Sequence, residues 1–238
     1  MRGMDLFNAA GERLDHTFTA GDAGRRALVI IAHGVTSHHD RDYLNALAAG
    51  LALRGVAALQ LTYAGNGRSE GSFEECTISK EVADLGSVLD SFGGWTVGYA
   101  GHSMGGAVGV LRAVQDPRIR ALCSLAGMVQ VQSFMERTFG HLSPGDAMLD
   151  KAECPLSQLF LDDALAIGDT LGAAREVAVP WLLVHGTADE LVPYSDSEEV
   201  CAANPNARLE PLPGADHRFA GHVPRLVELV SSFFDRAL

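Results

Sequence analysis

The chain has little positive charge, no basic run, no long hydrophobic stretch and no closely paired cysteines. Only 18 Lys and Arg stand against 30 Asp and Glu, a formal net charge of -12. That balance excludes a nucleic-acid partner, because affinity for a phosphate backbone comes from clustered Lys and Arg displacing counterions. It argues equally against an anionic membrane surface. The longest apolar runs, such as "ALVIIA" at 27–32, fall far short of the ~20 residues a transmembrane helix needs. The N-terminal "MRGMDLFNAAGERLDHTF" has no apolar signal-peptide core, so the expected location is the cytoplasm. Cys76, Cys123, Cys154 and Cys201 are widely scattered, and Cys123 sits in the apolar run "ALCSLAG". They read as reduced structural thiols rather than a disulfide framework.

What is present is a chain of 238 residues, 47% hydrophobic and 20% charged, enough for one large domain with a buried core. Short β-branched and aliphatic runs alternate with stretches of helical period, the pattern of an α/β fold with a mostly parallel sheet covered on both faces. The expected parallel strands are 27–33, 56–63, 96–101, 121–127, 180–186 and 207–212. Before them, "DLFNAAGERLDHTFTA" reads as an antiparallel hairpin turning at Ala10 and Gly11. Helical spacing recurs in Leu44, Leu47, Ala48 and Leu51, in Ile78, Val82, Leu85, Leu89 and Phe92, and in Val223, Leu226, Val230, Phe233 and Phe234. The alternation breaks once, between Met128 and Val179, a stretch too long for an ordinary connection. It reads as an inserted cap at about 128–179, carrying Phe134, Phe139 and Phe160, above the carboxyl ends of the strands.

The segment "TVGYAGHSMGGAVGVL" (96–111) carries the chemistry. Gly101, Gly105 and Gly106 surround Ser103 where a strand passes into a helix, and Gly101-His102-Ser103-Met104-Gly105 fits G-x-S-x-G. A serine on such a strained turn needs neighbours without side chains, and the following helix N-terminus favours an anion forming beside it. Serine is a weak nucleophile without a histidine base oriented by a carboxylate.

The expected chain order is serine, acid, histidine. Of the histidines after Ser103, His141 falls in the insertion and His185 at a strand end. His217, in the loop "PLPGADHRF", is the favoured base and His222 the fallback. Asp189, just past a strand end in "HGTADELVP", is the candidate acid, with Glu190 an open alternative. Asp216 reads as a loop-forming residue. The backbone NH of Met104, after the nucleophile, and that of Val35, after the strand ending at His33-Gly34, are the candidate oxyanion donors. His38, His39 and Asp40 form a suggestive cluster, but adjacent histidines do not readily face one ion and further ligands are missing, so a solvated loop is expected.

The motifs "AHGVTSHHD", "LTYAGNGRSEGSF", "GHSMGG", "VHGTADELVP" and "GADHRF", in this order, resemble the α/β-hydrolase superfamily. Within it they are similar to the small bacterial esterases that include cinnamoyl and feruloyl esterases. The resemblance covers nearly the whole chain. It implies an α/β-hydrolase fold with Ser103 as nucleophile, His217 as base, Asp189 as its acid and the Val35 and Met104 NH groups as the oxyanion hole. It also implies a cofactor-independent carboxylic ester hydrolase with a small-molecule ester substrate and no metal. A homodimer is left open. The sequence departs from the commonest family pattern at Tyr63, where many relatives carry aspartate. The insertion matches no motif that would name the acyl or alcohol group.

Overall fold

The computed structural model describes residues 4–238. Its centre is a seven-stranded sheet in the order β11-β10-β7-β6-β4-β5-β3. The strands are β3 (His16–Thr19), β4 (Ala27–Ala32), β5 (Ala57–Leu61), β6 (Thr96–His102), β7 (Ile119–Leu125), β10 (Trp181–Gly186) and β11 (Ala207–Leu212). All neighbours pair in parallel except β3, which runs antiparallel along β5. Every residue of β4 is buried, without polar alternation, as a strand covered on both faces requires.

The pleat sorts that apolar run between two cores. Ala27, Val29 and Ile31 pack with Leu44 and Leu47 of α1 (Asp42–Ala52) and with Leu226, Val230 and Phe234 of α8 (Val223–Ala237). Leu28, Ile30 and Ala32 face the other way, toward Leu85 and Leu89 of α2 (Ile78–Asp90) and Val108 of α3 (Met104–Ala113). Fully burying such a side chain contributes roughly 1.5–3 kcal/mol. Thr77 caps α2, its side-chain oxygen accepting the Lys80 NH at 3.0 Å.

All six expected parallel strands form, β11 with the bounds expected and the other five with one or both boundaries shifted by one or two residues. The largest shift is in β7, which starts at Ile119 although Arg120 is exposed. The N-terminal hairpin is shorter than its sequence suggests. β1 (Leu6–Phe7) pairs with β2 (Arg13–Leu14) around Gly11 at φ 80°, and the remainder of the second arm leaves to become β3 of the large sheet.

Between β7 and β10 the chain forms α4 (Val131–Phe139), the antiparallel pair β8 (Ala147–Met148) and β9 (Lys151–Pro155), α5 (Gln158–Ile167) and α6 (Leu171–Glu176). Phe134, Phe139 and Phe160 are buried there, and the Phe134 and Phe139 rings meet edge-on with centroids 5.8 Å apart. The opposite sheet edge, β11, carries Pro211 and a surface ion pair between Arg208 and Glu210. None of the helices among the described residues is long and apolar enough to cross a membrane.

Candidate active site

Four loops at the carboxyl ends of β4, β6, β10 and β11 converge, the position where open α/β sheets bind ligands. Ser103 lies between β6 and α3 with φ 54° and ψ -120°, a conformation costly for a residue with a side chain. The surrounding backbone holds it there. A Cβ on Gly101 would strike the Gly105 carbonyl, and one on Gly105 would come within 2.7 Å of the His33 carbonyl oxygen. The turn closes only with glycine at both places. The Ser103 carbonyl accepts the NH groups of Gly106 at 2.8 Å and Met128 at 2.9 Å, tying the turn to the start of the inserted segment.

His217, in the loop after β11, donates through Nδ1 to Asp189 Oδ2 at 2.8 Å. That bond fixes the tautomer, so Nε2 is the nitrogen able to accept a proton. Ser103 and His217 line one cavity of about 430 Å³, without a direct hydrogen bond between them among the described residues. Bonds of this kind commonly tighten only around substrate.

The Asp189 side chain is fully buried. Burial by itself would raise its pKa. The hydrogen bonds from His185 and His217, the His217 charge and the Val192 NH outweigh burial and hold the carboxyl well below the usual carboxylate range. Its Oδ1 accepts from the NH groups of Leu191 and Val192, both at 2.9 Å.

The other candidates separate cleanly. Glu190 is exposed. Asp216 turns back on its own loop, accepting the NH groups of Arg218 and Ala220 at 3.0 and 2.9 Å. His222 sits at the start of α8, its Nδ1 bonded to the Ala220 carbonyl. The cluster at 38–40 diverges. His39 bonds to Thr62 and Thr17, while Asp40 accepts from the Asn45 amide.

The NH groups of Val35 and Met104 have no backbone acceptor among the described residues; Val35 borders the cavity that Ser103 lines, and Met104 is the residue after Ser103 at the start of α3. Gly34 permits the approach of that loop, since a Cβ there would lie 2.7 Å from the Ser103 Cβ. His33, fully buried, donates through Nδ1 to the Gly34 carbonyl and accepts the Tyr63 NH at Nε2, 3.2 Å away. Burial holds its pKa down at about 4, so the ring is neutral and rigidly placed. Tyr63, the position that departs from the family pattern, therefore serves the oxyanion loop through its backbone, and its hydroxyl bonds to Tyr99 at 2.9 Å.

Three groups take supporting places that the sequence did not show. His102, the first variable residue of G-x-S-x-G, donates through Nε2 to the His217 carbonyl at 2.9 Å and accepts the Tyr43 hydroxyl at Nδ1. Its ring lies 4.7 Å from that of His217, centroid to centroid. His185 shares Asp189 Oδ2 with His217, at 3.2 Å, while its Nδ1 bonds to Ser197 at 2.7 Å. Lys151, from β9, donates its ammonium to the Thr36 carbonyl and so joins the inserted segment to the oxyanion loop.

A strained serine, a histidine held by a buried carboxylate and two free NH groups form the constellation of a serine hydrolase. The Hydrolase_4 family model, described as serine aminopeptidase, S33, matches residues 23–147, just over half of the chain. The chain belongs to this α/β-hydrolase family.

Relatives of this α/β-hydrolase include proteins named as hydrolases. It is 24% identical over 197 residues to a putative carbamate hydrolase RutD of Azorhizobium caulinodans, covering 68% of this chain and 74% of that one. It is 26% identical over 179 residues to the mitochondrial palmitoyl-protein thioesterase ABHD10 of Rattus norvegicus, covering 69% of this chain and 60% of that one. Among solved structures, Est1E from Butyrivibrio proteoclasticus with ferulic acid bound superposes with a TM-score of 0.89 and 25% identity, covering 99% of each chain. Mouse ABHD10 superposes at 0.81, over 98% of each chain, with 21% identity, and so shares the fold.

Proposed function

We propose that the protein hydrolyses carboxylic esters of small molecules through an acyl-enzyme. Ser103 attacks the ester carbonyl, its proton passing to His217 Nε2. The negative charge that develops on the carbonyl oxygen is taken up by the NH groups of Val35 and Met104. His217 then gives the proton to the leaving alcohol and activates water, which releases the acid and restores Ser103. Asp189 keeps His217 in the required tautomer and steadies its charged form. No cofactor enters this route.

The observation that carries the reading is Ser103 at φ 54°, on a cavity shared with a histidine bonded to a fully buried carboxylate. A binding protein would have no use for the strain, the buried charge and the free NH groups together. The similarity to Est1E with ferulic acid supports an ester substrate, and the ABHD10 relatives favour a thioester as the second reading. The description of the family model keeps amides in the comparison.

Treatment with a fluorophosphonate probe should label Ser103, and Ser103→Ala should lose both the label and turnover, the latter by on the order of 10⁶ in kcat. Matched oxygen esters, thioesters and anilides assayed side by side should rank the oxygen esters first. Labelling elsewhere, or appreciable turnover by Ser103→Ala, would sink the proposal.

A further inference from the structure

Three cations converge on the cavity above Ser103 from separate parts of the chain: Arg41 from the loop after β4, Lys151 from β9 and Arg218 from the loop after β11. None has a carboxylate within ion-pair distance among the described residues. Arg41 donates to the Ser37 hydroxyl at 3.1 Å and Lys151 to the Thr36 carbonyl, both neutral acceptors. Eight cations elsewhere among those residues are matched, including Arg25 with Asp235, Arg112 with Asp116 and Arg118 with Asp90 and Asp116, and the other unmatched ones, such as Arg26, Arg120 and Arg236, do not line this cavity. Two carboxylates share the cavity wall, Asp40 and Asp42, but both are exposed, and Asp40 is engaged with Asn45.

The three cations also act on one another. Burial lowers the pKa of Lys151 first, and the charges of Arg41 and Arg218 lower it further. In a chain of net charge -12, cations facing each other across a concavity are a local reversal of the molecular field. Hydrogen bonds hold Arg41 and Lys151 on this wall, and the exposed Arg218 lines the same cavity, so positive charge gathers there against its own repulsion. An anion between them relieves it, and the low-dielectric walls of a cleft focus the attraction.

The direction follows from the catalytic geometry. His217 must deliver its proton to the leaving oxygen, so the leaving group lies on the His217 side, where Arg218 is the next residue. A second recess, bordered by Val35 and Met104 and walled by Phe73, Met148 and Phe160, contains no cation. It contains the carboxyl of Glu81 instead, 2% exposed, with Oε2 unpartnered. An anionic acyl chain would meet no counter-charge there.

Resting on the ester-hydrolase reading, we infer that the substrate's leaving group carries an anionic substituent, a carboxylate or a phosphate, held by Arg41, Lys151 and Arg218. The acyl group is uncharged. The anion takes no part in bond making: the ester C–O bond breaks, water supplies the new C–O bond, and the substituent leaves unchanged on the alcohol.

The test compares acetyl esters of 3-hydroxybenzamide, 3-hydroxybenzoate and 3-hydroxyphenyl phosphate, whose leaving groups differ in charge at one ring position. At low ionic strength kcat/KM should favour the anionic esters by about tenfold, with the preference shrinking as salt is raised. The carboxylate and phosphate arms identify which anion fits better. Arg41→Gln, Lys151→Gln and Arg218→Gln should each lower the anionic-to-neutral ratio about threefold or more, in parallel with a weaker salt dependence. Arg218 is exposed, so its variant tests the proposal without a folding defect, and the salt titration needs no variant.

A ratio near one in the parent protein, or a ratio the three substitutions leave alone, overturns the inference. So does a preference that appears only when the charge is on the acyl side, as in hemisuccinate against butyrate esters. Failure to turn over any of the esters would instead count against the ester-hydrolase reading itself.

Discussion

Asp189 spends all its acceptor capacity. One oxygen takes two backbone NH groups and the other takes two histidines. In Asp189→Asn the amide nitrogen must face donors whichever way it turns, so kcat should fall by ~10⁴ as His217 loses its orienting acceptor. Glu190→Gln alters an exposed side chain, and Asp216→Asn keeps the one oxygen that accepts the Arg218 and Ala220 NH groups. Both should stay within about threefold of the parent. Steady-state assays of the three variants on one ester decide the matter: a crippled Glu190→Gln beside a working Asp189→Asn would reassign the acid.

Ser103, Asp189 and His217 were readable because each lies just past a strand, in an order that the chemistry dictates. His102 and His185 were not. Their contributions run through hydrogen bonds to residues 115 and 4 positions away, and nothing in a linear pattern shows where a ring nitrogen points. The available hint was a polar aromatic residue in an otherwise small or apolar context, "GYAGHSMGG" and "WLLVHG".

Between β6 and α3, the turn works only as a unit. Gly101→Val and Gly105→Val should each abolish most activity and lower Tm, since either side chain runs into the backbone of the turn or of the His33 loop. On the proposed reading Met104 gives its NH to the oxyanion, and its side chain is buried in the core, 3% exposed. A polar replacement there would strand its amide, so Met104→Leu, close in volume, is the informative change. It should keep kcat within about tenfold and cost less than ~1.5 kcal/mol. Thermal melts beside ester assays check both halves, and a Met104→Leu as inactive as the valine variants would give that side chain a direct role.

Legibility at this scale followed element length. Buried strands and long amphipathic helices show their period. The pair β8 and β9 does not, because the two-residue β8 offers no alternation, and exposed Glu153 and half-buried Lys151 sit in β9 where apolar residues would mark a sheet. Lys151, the residue that reaches the oxyanion loop, was hidden with it.

Across the whole molecule, buried ionisable groups set opposing limits on stability with pH. Burial, and secondarily the His217 charge, pushes His102 down to about 3, and burial pushes His33 down to about 4. Both gain a proton more readily when unfolded, so the unfolded state binds more protons between the folded values and 6.5. Stability is therefore lost as pH falls from about 6.5 toward 4. Glu81 acts in the other direction. Burial, with the charges of Asp84 and Asp163, raises its pKa well above 4.5, so stability is lost as pH climbs above 4.5. Tm measured from pH 4 to 9 should pass through a maximum, and the Tm of Glu81→Gln should gain on the parent as pH rises. A constant gap between the two curves would mean that Glu81 is ionised in the folded protein.

At the outer edge of the sheet, β11 offers an incoming strand one position, Pro211, with no NH to share, and a charged pair at Arg208 and Glu210 that resists desolvation. The sheet is thereby closed to extension at that end. Two copies of the chain cannot fuse their sheets along β11 into one continuous ribbon, nor can the strand template a fibril. Sheet extension is left to the far edge, β3, and any other assembly of this hydrolase must use helix or loop surfaces, where the mouths of its cavities decide whether assembly and catalysis compete.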